Sequence, residues 1–262
     1  MRINKKKLSV WIIIFSLVPV LLAVWAVYTD VIILRKTEDM ANYENTVSIL
    51  WVGSSHVFAG NVPQQLQAVT ESYDIKITYK DISRHGNRGG TLREHRENAI
   101  KEMQTGKFDY VVLHDQSRRS LNDIDGLLSD IQILCETARE NSVIPILYDF
   151  ACMAADGQPD EERLRASISA YKHAAAENDA ILVRAAESWI YAYKTIPEIS
   201  LYTRFDLRGL HSNKAGGFLT ACVFATTLFN LHIEEVPKDS IYKGNDALDL
   251  AQAAWEFVHS SH

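Results

Sequence analysis

Cysteine is scarce in this chain. Three in 262 residues are too few for the disulfide framework of a small secreted domain. Positive charge is short over most of the length. Arg2, Lys5, Lys6 and Lys7 precede residue 30 with no acid among them, and residues 30–262 then hold 23 basic and 33 acidic side chains. So acidic a body argues against nucleic acid as the main partner. Low-complexity tracts and internal repeats are absent. The 47% hydrophobic content excludes a mainly disordered chain, a collagen-like one and a multi-span membrane protein. The length suits one large domain or two small ones. No H-x-H, H-x-x-x-H or H-E-x-x-H spacing occurs among the nine histidines. A zinc reading of His56, His85, His95 and His114 is therefore weak.

The single long apolar run is Leu8–Tyr28, LSVWIIIFSLVPVLLAVWAVY. As a helix it spans about 31 Å, close to the hydrocarbon thickness of a bilayer. Lys5, Lys6 and Lys7 in front of it place the N-terminus in the cytoplasm and the body outside the plasma membrane. A cleaved signal peptide is the competing reading. The run is long for one, and Val24-Trp25-Ala26 is a mediocre cleavage site. The expected organisation is a basic tip and transmembrane anchor over 1–36, a linker over 37–46 and one domain over 47–262.

The domain alternates strands and helices. Val47–Val52 is a continuous apolar run ending at Gly53, as expected of a strand buried on both faces. Tyr73–Ile82 alternates and suits an edge. Tyr110–Leu113, Val143–Tyr148 and Ala180–Val183 complete five strands, with Pro145 counting mildly against a central place for the fourth. Helices are expected over Pro63–Ser72, Leu92–Thr105, Asn122–Asn141, Pro159–Asn178, Ala215–Leu231 and Ala247–Val258. Such alternation means a parallel sheet with right-handed crossovers, and ligands in such sheets sit beyond the carboxyl ends of the strands. Cys135, Cys152 and Cys222 read as free thiols, mostly buried. Trp189, Tyr191 and Tyr193 read as packing, with a cleft-lining role as the alternative.

Four segments beside those strand ends carry chemistry. Gly53-Ser54-Ser55-His56 leaves a hydroxyl at a sharp turn, and a serine becomes a nucleophile when a base takes its proton. The second glycine of a nucleophile elbow is missing, which disfavours an α/β-hydrolase. His85–Leu92 contains Gly89-Gly90 ahead of a helix, where backbone N–H groups can approach an oxygen. In His114-Asp115-Gln116-Ser117 a carboxamide can donate to an oxyanion. Before the helix at Ala215 stands His211, a candidate general base. Each segment alone is an ordinary turn, loop or cap. Together they run serine, glycine, carboxamide, histidine.

That order resembles the SGNH (GDSL-like) hydrolase superfamily from about Val47 to Leu231. It is closest to a bacterial branch that opens with I-G-N-S-F and carries Q-E-Q-S in its third block. Ser55 matches the nucleophile, Asn61-Val62-Pro63 the Asn-x-x-Pro variants that follow, and Gly89-Gly90-Thr91-Leu92 with His95 the second block. Gln116 stands where most of the superfamily has asparagine. His211-Ser212 with Ala215-Gly216 matches the last block, H-P-S-x-x-G. The resemblance implies a flavodoxin-like three-layer α/β/α sandwich with a five-stranded parallel sheet. It implies ester or acyl hydrolysis without a metal or other cofactor. Ser55 and His211 would be catalytic, with an oxyanion hole from the Ser55 and Gly90 N–H groups and the Gln116 side chain. The substrate class implied is a small-molecule or glycan-linked ester.

The pattern is broken in three places. Ser54 replaces the branch's asparagine, His56 its aromatic, and Arg208 the acid expected three residues before the histidine. Asp206, five residues before, is the candidate orienter of His211. A Ser–His dyad held by a backbone carbonyl is the other option. The expected protein is a membrane-anchored extracytoplasmic serine esterase. A catalytically weakened binding or scaffold protein, and an acyltransferase acting on cell-surface glycans, are the alternatives.

Overall fold

The computed structural model describes residues 46–86, 88–150, 160–203 and 211–260. The anchor expected over Leu8–Tyr28, and Cys152, Asp206 and Arg208, lie outside the described residues. Among those described, no helix is long and apolar enough to cross a membrane.

The strands are β1 (Thr46–Val52), β2 (Lys76–Asp81), β3 (Arg84–His85), β4 (Arg88–Gly89), β5 (Tyr110–Leu113), β6 (Ile144–Tyr148) and β7 (Ile181–Val183). The helices are α1 (Ser55–Ala59), α2 (Val62–Glu71), α3 (Leu92–Met103), α4 (Arg119–Asn122), α5 (Ile124–Glu140), α6 (Glu161–Glu177), α7 (Ala185–Thr195), α8 (Lys214–Phe229) and α9 (Ala247–His259). Five strands form one sheet in the order β2-β1-β5-β6-β7, every pair parallel. β3 and β4 make a separate antiparallel hairpin.

Alternation along the strands makes two cores. Ile49 and Trp51 of β1, with Val112, Ile146 and Tyr148, face α2, α7, α8 and α9. Leu50 and Val52, with Val111, Leu113 and Leu147, face α3, α5 and α6. The result is the three-layer α/β/α arrangement. Helix α8 is apolar nearly all round and is buried nearly all round, as such a helix must be.

β6 is internal despite Pro145. Ile144 gives its N–H to Asp109 O on the β5 side at 2.8 Å. Successive residues of a strand face alternate neighbours, so the missing Pro145 N–H falls on the β7 side. There the ladder begins only at Ile146 and Ile181. The proline therefore costs no rung.

Candidate active site

The chain leaves β1 through Gly53 and enters α1 at Ser55. Ser54 is the helix cap: it is buried, and its hydroxyl accepts the His56 N–H at 3.5 Å. The Ser54 carbonyl accepts from Val57 at 3.1 Å. Ser55 is the first helical residue, so its own N–H has no carbonyl within the helix to meet. Its hydroxyl lies 2.7 Å from His211 Nε2, across 156 residues of sequence.

His211 is carried on a short extended stretch. Tyr202 and Ser212 form an antiparallel bridge. Thr203 donates its N–H to His211 O at 2.9 Å, and Asn213 donates to Leu201 O at 3.1 Å. Asn213 then caps α8, its Oδ1 accepting the Gly216 N–H at 2.9 Å. The Ser55 and His211 sides are tied together by Gln65, fully buried on α2. Its Nε2 donates to Gly60 O at 2.8 Å and to Lys214 O at 2.9 Å. The backbones of Gly60 and Gly217 touch so closely that a Cβ on Gly217 would run into the Gly60 carbonyl. No sequence motif marks Gln65, because its two acceptors come from distant parts of the chain.

The third side is the β3–β4 hairpin. Gly89 packs on the turn at Ser54-Ser55, where a Cβ would run into Ser55 N. Gly90, the glycine chosen from sequence as the oxyanion donor, instead gives its N–H to Ser83 O at 3.1 Å. The ring of His95 fills the space a Gly90 side chain would need. Gln116 closes the corner, its Nε2 donating to Gly89 O at 3.1 Å. A carboxamide nitrogen has two N–H groups, so one remains for a ligand. Gln116 is held by Asp115, whose Oδ1 accepts the Gln116 N–H at 2.6 Å. Asp115 Oδ2 accepts from Arg119 at 2.8 Å and from Leu92 N at 3.3 Å.

Imidazoles line the floor. The His56 ring stacks on Phe150 at 3.7 Å between centroids, meets His114 edge-on at 5.6 Å and lies 5.2 Å from His211. Burial, then the neighbouring His114, His211 and Arg163, hold the His56 pKa well below its ordinary value. Burial also brings His114 down to about 4, despite its bond to the Tyr148 carbonyl. His114 Nδ1 lies 2.7 Å from Tyr148 O, which can only accept, so that nitrogen carries the proton of a neutral ring. His85 and His95 form a separate pair, with ring centroids 6.1 Å apart. Trp189 is core: it packs on Phe150 at 5.1 Å and donates Nε1 to Thr220 at 3.1 Å. Cys135 and Cys222 are free and buried.

The structure thus brings together Ser55, His211 and Gln116, and turns Gly90 toward Ser83. Asp206 lies outside the described residues.

No family model and no curated protein matches the sequence. Solved structures do match the fold. A DUF4886 family protein from Bacteroides uniformis superposes with TM-score 0.67 at 16% identity, over 82% of this chain and 95% of that one. A protein from Slackia heliotrinireducens assigned to the SGNH hydrolases gives TM-score 0.55 at 22% identity, over 70% and 99% of the two chains. The acetyl xylan esterase AlAXEase gives 0.55 at 14%, over 70% and 100%. The protein has the fold of the SGNH hydrolases.

Proposed function

We propose that the protein is a serine ester hydrolase of SGNH type, held at the outer side of the plasma membrane by Leu8–Tyr28. The observation that carries the hydrolase reading is the 2.7 Å bond between Ser55 Oγ and His211 Nε2. A serine and an imidazole in that relation are an activated nucleophile and its base. Ser55 Oγ attacks the ester carbonyl while its proton passes to His211 Nε2. The oxyanion that forms meets the Ser55 N–H and the second Gln116 N–H. Collapse expels the alcohol, which takes the proton back from His211. Water then repeats the sequence on the acyl-enzyme, releasing the acid and restoring Ser55. The Gly90 N–H joins the hole only by leaving Ser83. The proposed orienter of His211 is Asp206, with a backbone carbonyl as the other option.

One sequence feature bears on a rival reading. Arg208, in place of the expected acid, favours a scaffold without turnover. A sugar hydroxyl taking the place of water would make the same acyl-enzyme a transferase. A fluorophosphonate probe together with short-chain aryl esters separates enzyme from scaffold. Wild type should label and turn over, whereas Ser55→Ala should do neither, with a rate loss of about 1,000-fold or more. Ser54→Ala should keep labelling, and Asp206→Asn should lower kcat/KM. Labelling that survives in Ser55→Ala, or wild type that never labels, sinks the proposal.

A further inference from the structure

Asp115 is a buried carboxylate with no step of its own in the chemistry above. Its two oxygens serve different parts of the oxyanion side. Oδ1 takes the Gln116 N–H, and Oδ2 takes the N–H of Leu92, the first residue of α3. Gly90 and Thr91 alone separate Leu92 from Gly89 along the chain. Gly89 is the residue whose carbonyl holds Gln116 Nε2 and which packs on Ser55 N. A closed ring of contacts therefore runs from Asp115 to Gln116, across to Gly89, along the chain to Leu92 and back to Asp115. The carboxylate is the member that fastens the end of β5 to the start of α3.

Asp115 is itself gripped. Its N–H goes to Tyr171 Oη on α6 at 2.8 Å. Arg119 Nη1 pairs with Oδ2 at 2.8 Å, and the Arg119 N–H meets the Gln116 carbonyl at 2.9 Å. Arg119 Nη2 is anchored in turn by Asp123 at 2.8 Å and Asp130 at 3.1 Å. Gln116 is thus fixed at its N–H, its carbonyl and its side-chain nitrogen. Buried ion pairs are a costly way to hold a fold together, and well-packed apolar residues often do it better. Placing an oxyanion donor is a task that needs such fixity, since a misplacement of about 1 Å can cost about 100-fold in rate.

We propose that Asp115 is a positioning residue, which sets the Gln116 donor against Ser55 and contributes to turnover through Gln116. The inference rests on the hydrolase reading. The test is a double-mutant cycle on 4-nitrophenyl acetate, assayed below the melting temperature of every variant. Asp115→Asn should lower kcat about 10- to 100-fold with KM within about twofold of wild type. Gln116→Ala, which removes the donor, should lower kcat about 100-fold or more. In the Gln116→Ala background, Asp115→Asn should cost less than about threefold, because the group it acts through is gone. Trifluoroacetophenone adds to the serine as a tetrahedral oxyanion, so its inhibition constant should weaken in step with kcat. Should Asp115→Asn fail to fold, Arg119→Lys runs the same cycle from the other partner of the ion pair, keeping the charge and giving up the fork. Losses that multiply in full with that of Gln116→Ala, or a loss confined to KM or to the melting temperature, overturn the proposal. Wild type that neither turns over nor takes a fluorophosphonate brings down the hydrolase reading first, and this inference with it.

Discussion

Ser54 and Ser55 are chemically the same, and the turn after β1 gives them different work. One hydroxyl is consumed by the cap of α1 while the other reaches His211. Burial makes a comparable division among the carboxylates. Asp149 has no exposure; its Oδ1 accepts the Ala186 N–H at 2.9 Å, and its Oδ2 meets no donor among the described residues. Burial pushes its pKa up to about 7. Between pH about 4, where the unfolded carboxyl titrates, and pH about 7, the folded chain keeps a proton the unfolded one has lost. Stability from this group is thus intact below that window and falls as pH rises through it, by up to about 1.4 kcal/mol per pH unit. Asp149→Asn keeps the acceptor and removes the titration. The melting temperature of the variant relative to wild type should therefore climb from pH 5 to pH 8. A constant difference across that range would show Asp149 ionised in the fold.

At the scale of elements, the site depends on how closely α8 approaches the turn after α1. A Cβ on Gly217 would push the two apart, and overpacking of this kind costs about 1–3 kcal/mol. Gly217→Ala should lower the melting temperature and also lower kcat with little change in KM, because proton transfer needs the Ser55–His211 distance. A wild-type kcat in a destabilised variant would show that the contact seats the helix without setting the dyad. The same scale shows what could be read from sequence. The apolar runs of β1 and β5 and the capping box of Thr91 and Glu94 at the start of α3 are local signals, and the elements stand where those signals put them. The hairpin β3–β4 has strands of two residues, too short for any period. Five-residue α1 is equally silent, and in α7 the aromatic residues Trp189, Tyr191 and Tyr193 recur every second position, which is not a helical period. Asp123 ends α4 and caps α5, so the helix expected over Asn122–Asn141 stands as α5 from Ile124, and the single turn of α4 before it carries no periodic signal. Ser55 and His211 were legible through the order of their blocks. Gly89 and Gly90 were not separable, since adjacent glycines differ only in which neighbour each one touches.

For the whole molecule, the charge divides at the apolar run, with basic residues alone before it and an acidic excess after. A membrane anchor predicts that the protein stays in the pellet after alkaline extraction. A released chain beginning near Val27 would identify the run as a signal peptide instead. The joint that Gln65, Gly60, Lys214 and Gly217 make between α2 and α8 has a temporal consequence for such a protein. A chain threaded outward from its anchored end exposes Ser55 long before the base that is 156 residues away. Closing so long a loop comes late in folding. Were the chain exported as proposed, its serine would stay an ordinary alcohol until α8 docks, and the proposed activity would switch on only with the finished fold.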